Sequence, residues 1–429
     1  MSHSRFTRLT NEAIWLILAQ AIGLLGSFIF IRLITNLVSP ADYGQLALSL
    51  TLFTLCSQLT TGLIASGVSR SYTDAYRNQQ LSSFFQACRW LLLVGSTIII
   101  SICLPLALLT NYVDIGLSSN LVLSIACYAI LHSYYSIFLA IQNAARKRKL
   151  IALCTVIDVV LRSLFALAVV LYLSSTSSGI VFGFTVGSLL TLFILYFLFS
   201  DEYIRSASVA SATESRAWAH AMWIFAWPLT VSGIFNWSYY ASQRWSLEAF
   251  STTTEVGQFY LLTQIGYGPI STLGASLISF VAPVLYNRAT DNANRANLLA
   301  IYQTLKNIVL SVALIFLSVF TVLIFFSTEI VTWIANEQYR SIASMLPFVM
   351  LAASLLSLSH LLGLMVGVQK LTRLFLVRDS VGNFSISLVN IFAVYFFGMQ
   401  GLVFSMVLGA TLHLLSQYII VRFALRQLI

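Results

Sequence analysis

The chain has 429 residues, of which 59% are hydrophobic and 9% charged, with a formal net charge of +9 and a mean hydropathy of +0.88. Soluble domains carry about 25% charged residues. This composition therefore excludes a soluble protein, a disordered chain and a small disulfide scaffold, and leaves a polytopic membrane protein.

A spanning helix needs about 20 mostly apolar residues. Runs free of Asp, Glu, Lys and Arg predict spans at 13–34, 44–67, 86–109, 118–142, 150–173, 179–199, 219–241, 256–284, 304–326, 342–368, 376–397 and 401–422. The fifth of these runs through Asp158 and Arg162. Two long runs are each divided by a turn signal: Ser174-Ser175-Thr176-Ser177-Ser178-Gly179 in one, Gly398-Met399-Gln400-Gly401 in the other. The runs lack the alternation of barrel strands, so the expectation is all-α, with twelve transmembrane helices.

Nineteen of the 23 Lys and Arg fall on one side of this arrangement, Arg146, Lys147, Arg148, Lys149, Arg288 and Arg378 among them. Arg32, Arg162, Arg244 and Arg340 are the remainder. The positive-inside rule then places both termini in the cytoplasm. The basic charge serves as an orientation signal and not as a nucleic-acid surface. Arg5 and Arg8 precede a span longer than a signal-peptide core, which predicts a retained first helix. The five cysteines (Cys56, Cys88, Cys103, Cys127, Cys154) lie in or beside spans and suit small apolar packing.

The chain repeats itself. Arg32 and Asp42-Tyr43-Gly44-Gln45 recur as Arg244 and Glu255-Val256-Gly257-Gln258. Gln142 and Arg146 recur as Gln369 and Arg373. Gly179-Ile180-Val181-Phe182 recurs as Gly401-Leu402-Val403-Phe404. The offsets stay within about 212 to 227 residues and keep their order. The expected organisation is an N-lobe at 1–200, a cytoplasmic linker at 201–216 and a C-lobe at 217–429. Two six-helix lobes of the same orientation make a parallel-repeat transporter plan, with a substrate site between them.

Charges within spans mark candidate functional positions. Arg32 and Arg244 are repeat equivalents near the outer ends of spans 1 and 7. They are either a pair of substrate-binding cations or two snorkelling side chains. Arg162 sits about 18 Å into its span, and Asp158 lies four residues before it on the same face. This is either a self-neutralised ion pair or a phosphate ligand whose charge Asp158 tunes. Asp158 is also a candidate for coupling transport to H+ or Na+. The guanidinium fork can hold two phosphate oxygens. His132, His360 and His413 read as packing residues, and no pair has metal-ligand spacing. Trp218, Trp223 and Trp245 suit an interfacial belt, whereas Trp227 and Trp237 lie deeper, where they could stack on sugar rings. Pro228 and Pro269 are expected bends or hinges. No Walker, Gly-x-Ser-x-Gly or His-Glu-x-x-His pattern occurs, so no enzyme activity and no organic or metal cofactor is expected.

The run Arg32-Leu33 … Ser39-Pro40-Ala41-Asp42-Tyr43-Gly44 resembles the first-loop signature of polysaccharide exporters in the multidrug/oligosaccharidyl-lipid/polysaccharide superfamily. So do Phe225-Ala226-Trp227-Pro228-Leu229, Arg244-Trp245 and Glu255-Val256-Gly257. Gln243 departs from the pattern, which often has Asp there. The resemblance implies a MATE/MOP-like fold and an O-antigen (Wzx-type) flippase. Such a protein moves an undecaprenyl-diphosphate-linked oligosaccharide from the cytoplasmic to the outer leaflet of the bacterial inner membrane. Membrane lipids, a polysaccharide polymerase and a chain-length regulator are the partners it implies. The competing expectations are a cation-coupled multidrug antiporter, a small-solute symporter and a membrane enzyme of glycan assembly. A drug antiporter should carry more acids than bases in its cavity, the reverse of the pattern here.

Overall fold

The computed structural model describes residues 20, 22–113, 115–204, 211–291, 295–368 and 372–426. The first residues of the expected first span, the middle of the expected linker, and Gln369 of the repeat lie outside them. The described residues are helical throughout their regular structure. The helices are α1 (Ile22–Leu37), α2 (Pro40–Arg77), α3 (Leu81–Leu109), α4 (Ser119–Ala144), α5 (Arg148–Tyr172), α6 (Ser177–Ile204) and α7 (Ala212–Phe250). There follow α8 (253–291), α9 (Arg295–Ile334), a 3-10 segment at Glu337–Met345, and α10 (Leu346–Val368). The last stretch, Thr372–Arg426, is two helices, α11 and α12, joined at Gly398 with φ 58 and ψ −146. That backbone conformation is nearly restricted to glycine.

Among the described residues, nine stretches are long and apolar enough to cross a membrane. The described part of α1 is short, and α11 and α12 fall within one stretch, 377–423. α7 is not among the nine, because Ser, Asn, Gln, Tyr and Trp interrupt its apolar residues.

The repeated acid-x-Gly-Gln motif has a local cause. Ser39 caps α2 by accepting the Asp42 N–H, and Thr252 caps α8 by accepting the Glu255 N–H. Both are capping arrangements of the Ser/Thr-x-x-acid type. The first also fastens α6, since Asp42 accepts the Ser177 N–H and Gln45 accepts the Ser177 hydroxyl at 2.9 Å. The Gln142–Arg146 signature is a helix stop. The Lys147 N–H reaches back to the Gln142 carbonyl, and Arg146 takes φ 60.

Two compact units make up the chain, Met1–Trp237 and Ser238–Ile429. Their boundary falls inside α7, beyond the expected linker. The beginning of α7 belongs to the first unit because Ala219, Met222 and Ala226 pack into one buried cluster with Leu63, Ile64, Val68, Phe84 and Ile137. Glu214 anchors the same end, accepting from the Gln80 amide and, at 2.7 Å, from the Ser83 hydroxyl. In the second unit α10 is the central helix. It packs against α8, α9 and the α11–α12 pair, and it buries Leu346, Val349, Met350, Leu361 and Met365. A helix apolar on all sides is one that neighbours surround.

Candidate functional site

In the first unit the charged pair of α5 is built as the sequence spacing requires. Arg162 Nη2 lies 2.7 Å from Asp158 Oδ2, one helical turn away, and Asp158 is 1% exposed. The second arm of the fork leaves the helix, and Nη1 donates to the Tyr128 hydroxyl on α4 at 2.5 Å. The Tyr128 ring stacks on Phe53 of α2, with centroids 4.6 Å apart, and meets Phe184 of α6 at 5.8 Å. Four helices therefore fix the guanidinium.

Small residues bring α6 close enough to do this. A Cβ at Gly183 would come 2.3 Å from the Ala166 Cα, and one at Gly187 would come 2.6 Å from the Arg162 Cα. These glycines, four residues apart, let two backbones touch, the usual device of membrane helix pairs. The apolar Gly-rich start of α6 is thus a packing surface for α5.

The constellation is not saturated. Asp158 Oδ1, Arg162 Nε and His132 Nδ1 are buried without a hydrogen-bond partner. A buried polar atom without a partner costs about 1–3 kcal/mol, more when charged. Hence the pair holds donor and acceptor capacity in reserve, in a place where a hydrophobic pair would pack at lower cost. His132, expected as packing, does pack on Phe53 and Tyr128.

Arg32 is exposed near the end of α1. Arg244, in the second unit, is half-buried with its guanidinium 4.6 Å from the centre of the Tyr260 ring, a cation–π contact. Trp227 is 50% exposed. Trp237 donates its indole N–H to the Thr51 carbonyl at 2.8 Å, so its polar edge is engaged by backbone. Pro228 lies within α7, and the helix continues past it to Phe250. Pro269 lies two residues beyond a π-turn at Thr263–Tyr267, and that turn supplies the local irregularity in α8. None of the three arginines lines the 680 Å³ groove bounded by Arg89, Tyr134, Phe138, Leu192 and Tyr196 on α3, α4 and α6.

The second unit contains a polar cluster that sequence reasoning missed. Arg378, counted among the charges of one side and lying at the start of the expected span 376–397, is an α11 residue with a side chain 13% exposed. It is held there by Asp379, by Gln417 and, at 3.0 Å, by His413 Nε2. The signal was available as an Arg-Asp pair at the start of a span, opposite a His-x-x-x-Gln pair one helix later. Gln243, which replaces the frequent acid, is 3% exposed, and its amide nitrogen has no partner.

Comparison with known proteins follows the same lines. The model of a family described as polysaccharide biosynthesis protein matches residues 9–287. No curated protein sequence matches the chain. Among solved structures, an inward-facing multidrug resistance MATE family transporter of the MOP superfamily superposes with a TM-score of 0.67 at 16% identity, covering 95% of each chain. The lipid II flippase MurJ in an inward closed conformation gives 0.67 at 16% identity, over 96% of this chain and 87% of that one. An outward-facing MATE family transporter gives 0.63 at 14%, over 97% and 96%. The chain is a multi-pass membrane protein with a MATE- and MurJ-like fold, and it belongs to the polysaccharide biosynthesis protein family.

Proposed function

We propose that this protein is a flippase, with no enzymatic step. It carries an undecaprenyl-diphosphate-linked oligosaccharide, an O-antigen repeat unit, from the cytoplasmic to the outer leaflet of the bacterial inner membrane by alternating access. Twelve spans with cytoplasmic termini complete the reading: the nine apolar stretches, α1, α7, and the division of the last stretch at Gly398.

The observation that carries it is Arg162. A diphosphate needs cations with spare donors, and this half-buried guanidinium keeps its Nε unpartnered while Asp158 and Tyr128 hold the other two nitrogens. Arg32 and Arg244 are the accessory cations. Asp158 limits the net charge, so that the headgroup is held without being trapped. The apolar groove beside Arg89 suits a prenyl chain. The family match and the fold shared with a lipid II flippase support a lipid-linked glycan as cargo.

A cation-coupled multidrug or small-solute transporter is the second reading, which the fold shared with MATE transporters favours. Deleting the gene and locating the lipid-linked repeat units separates the two. Their accumulation in the cytoplasmic leaflet, with loss of surface polymer, is the expected result. Normal polymer with altered drug sensitivity would favour the second reading.

A further inference from the structure

We infer that His413 is a proton-binding site, and that its protonation exchanges one partner for another at the junction of α10, α11 and α12. The inference rests on the transporter reading for its purpose, but not for its chemistry.

The Ser359 hydroxyl on α10 lies 2.8 Å from His413 Nδ1 and also donates to the His413 carbonyl at 3.2 Å. A hydroxyl has one proton to give. With that proton on the carbonyl, Nδ1 must carry its own hydrogen and donate it to Ser359. The neutral ring is then the Nδ1–H form, and Nε2 presents a bare lone pair. Two groups face that lone pair: Arg378 Nη2 at 3.0 Å and Asp379 Oδ1 at 3.3 Å. Only Arg378 can donate to it.

Adding a proton at Nε2 reverses the choice. The new N–H donates to Asp379 Oδ1 and turns a cation toward the guanidinium. Arg378 Nη2 then loses its acceptor on the ring and stays bonded to Asp379, and the shift of the guanidinium weakens the Nη1 bond to Gln417. The neutral state therefore ties α11 to α12 through Arg378, with His413 and Gln417 as acceptors. The protonated state replaces that tie with one through Asp379, while Ser405 of α12 still donates to Asn390 of α11 at 2.7 Å farther along. One proton is bound and none is transferred elsewhere. This is a bistable contact of the kind that histidine switches use.

The surroundings concentrate the effect. Ser359 and Gln417 are fully buried, and the His413 side chain is 7% exposed. The titratable groups that act on one another are His360 on α10, Arg378 and Asp379 on α11, and His413 on α12. α8 and α9 also pack on α10 but bring no described titratable group into this set. The His360 ring stands edge-on to His413 with centroids 5.5 Å apart, so the two do not share a hydrogen bond. Ser359 is too buried to act as a nucleophile despite its Ser-His-Asp company.

The test is hydrogen exchange of the full-length protein in nanodiscs, between about pH 5 and about pH 8, corrected for intrinsic exchange. Protection across α11 and α12 should fall as pH falls. The transition should vanish in His413→Asn and persist in His360→Asn. Asp379→Asn weakens the protonated state's partner and should lower the midpoint by about one pH unit; it covers the case in which His413→Asn fails to fold. No transition in the wild type, one that survives His413→Asn, or an unmoved midpoint in Asp379→Asn would overturn the inference. A normal transition in a protein that flips no lipid-linked glycan would leave the proton site intact and refute the flippase.

Discussion

Gly187 lies against Arg162 so closely that a Cβ on the glycine would come 2.6 Å from the arginine Cα and 2.7 Å from its nitrogen. The helix carrying Arg162 is thus positioned by a residue that has no side chain. Backbone cannot yield as a flexible side chain can, so Gly187→Ala should separate α5 from α6 and destabilise the protein by about 1–3 kcal/mol. Gly382 has nothing within 4 Å of its Cβ position. Gly382→Ala should be neutral or stabilising, by up to about 1 kcal/mol. Thermal unfolding in one detergent compares them directly.

Arg162 separates charge from geometry. Arg162→Lys keeps a cation beside Asp158 but loses the fork that reaches Tyr128. Rescue of surface polysaccharide in a deletion strain should fall about tenfold or more, the equivalent of one charge-assisted hydrogen bond of about 1.5 kcal/mol. Arg162→Ala leaves Asp158 buried and unpaired, and should lower both protein level and rescue. Equal rescue by wild type and Arg162→Lys at matched protein levels would remove the fork from the mechanism.

The capping motif predicts a stability effect at two separate places. Ser39→Ala and Thr252→Ala each remove the acceptor for a first-turn N–H. Each should cost about 1 kcal/mol, and the double variant should show an additive loss. Unfolding midpoints of the three variants check this.

Gly398 predicts strain without crowding. Its Cβ position is open, yet its φ is +58. Gly398→Ala should therefore destabilise by about 1–3 kcal/mol although there is room for the methyl group. A neutral Gly398→Ala would mean that the α11–α12 junction relaxes to another backbone geometry.

These residues also show what the sequence can tell. The Gly398-Met399-Gln400-Gly401 signal marks a local event, and the backbone turns there. Asp158 and Arg162 are legible as a pair because one helical turn fixes their distance. Tyr128 is not, because its contact depends on how α4 meets α5. Nor are the partners of Arg378, for the same reason. A cation near a helix start reads as a loop charge until the facing Gln417 and His413 are placed against it. The capping role of Ser39 is present in the spacing Ser-x-x-Asp, but the repeat is the stronger signal over the same residues.

The most direct measurement is transport by the purified protein in liposomes. A fluorescent undecaprenyl-diphosphate oligosaccharide is placed in one leaflet, and its arrival in the other is followed with a membrane-impermeant quencher. The account predicts transfer by the wild type, at least about tenfold slower transfer by Arg162→Lys, and none in protein-free liposomes. Wild-type liposomes that transfer the lipid no faster than protein-free ones would contradict it.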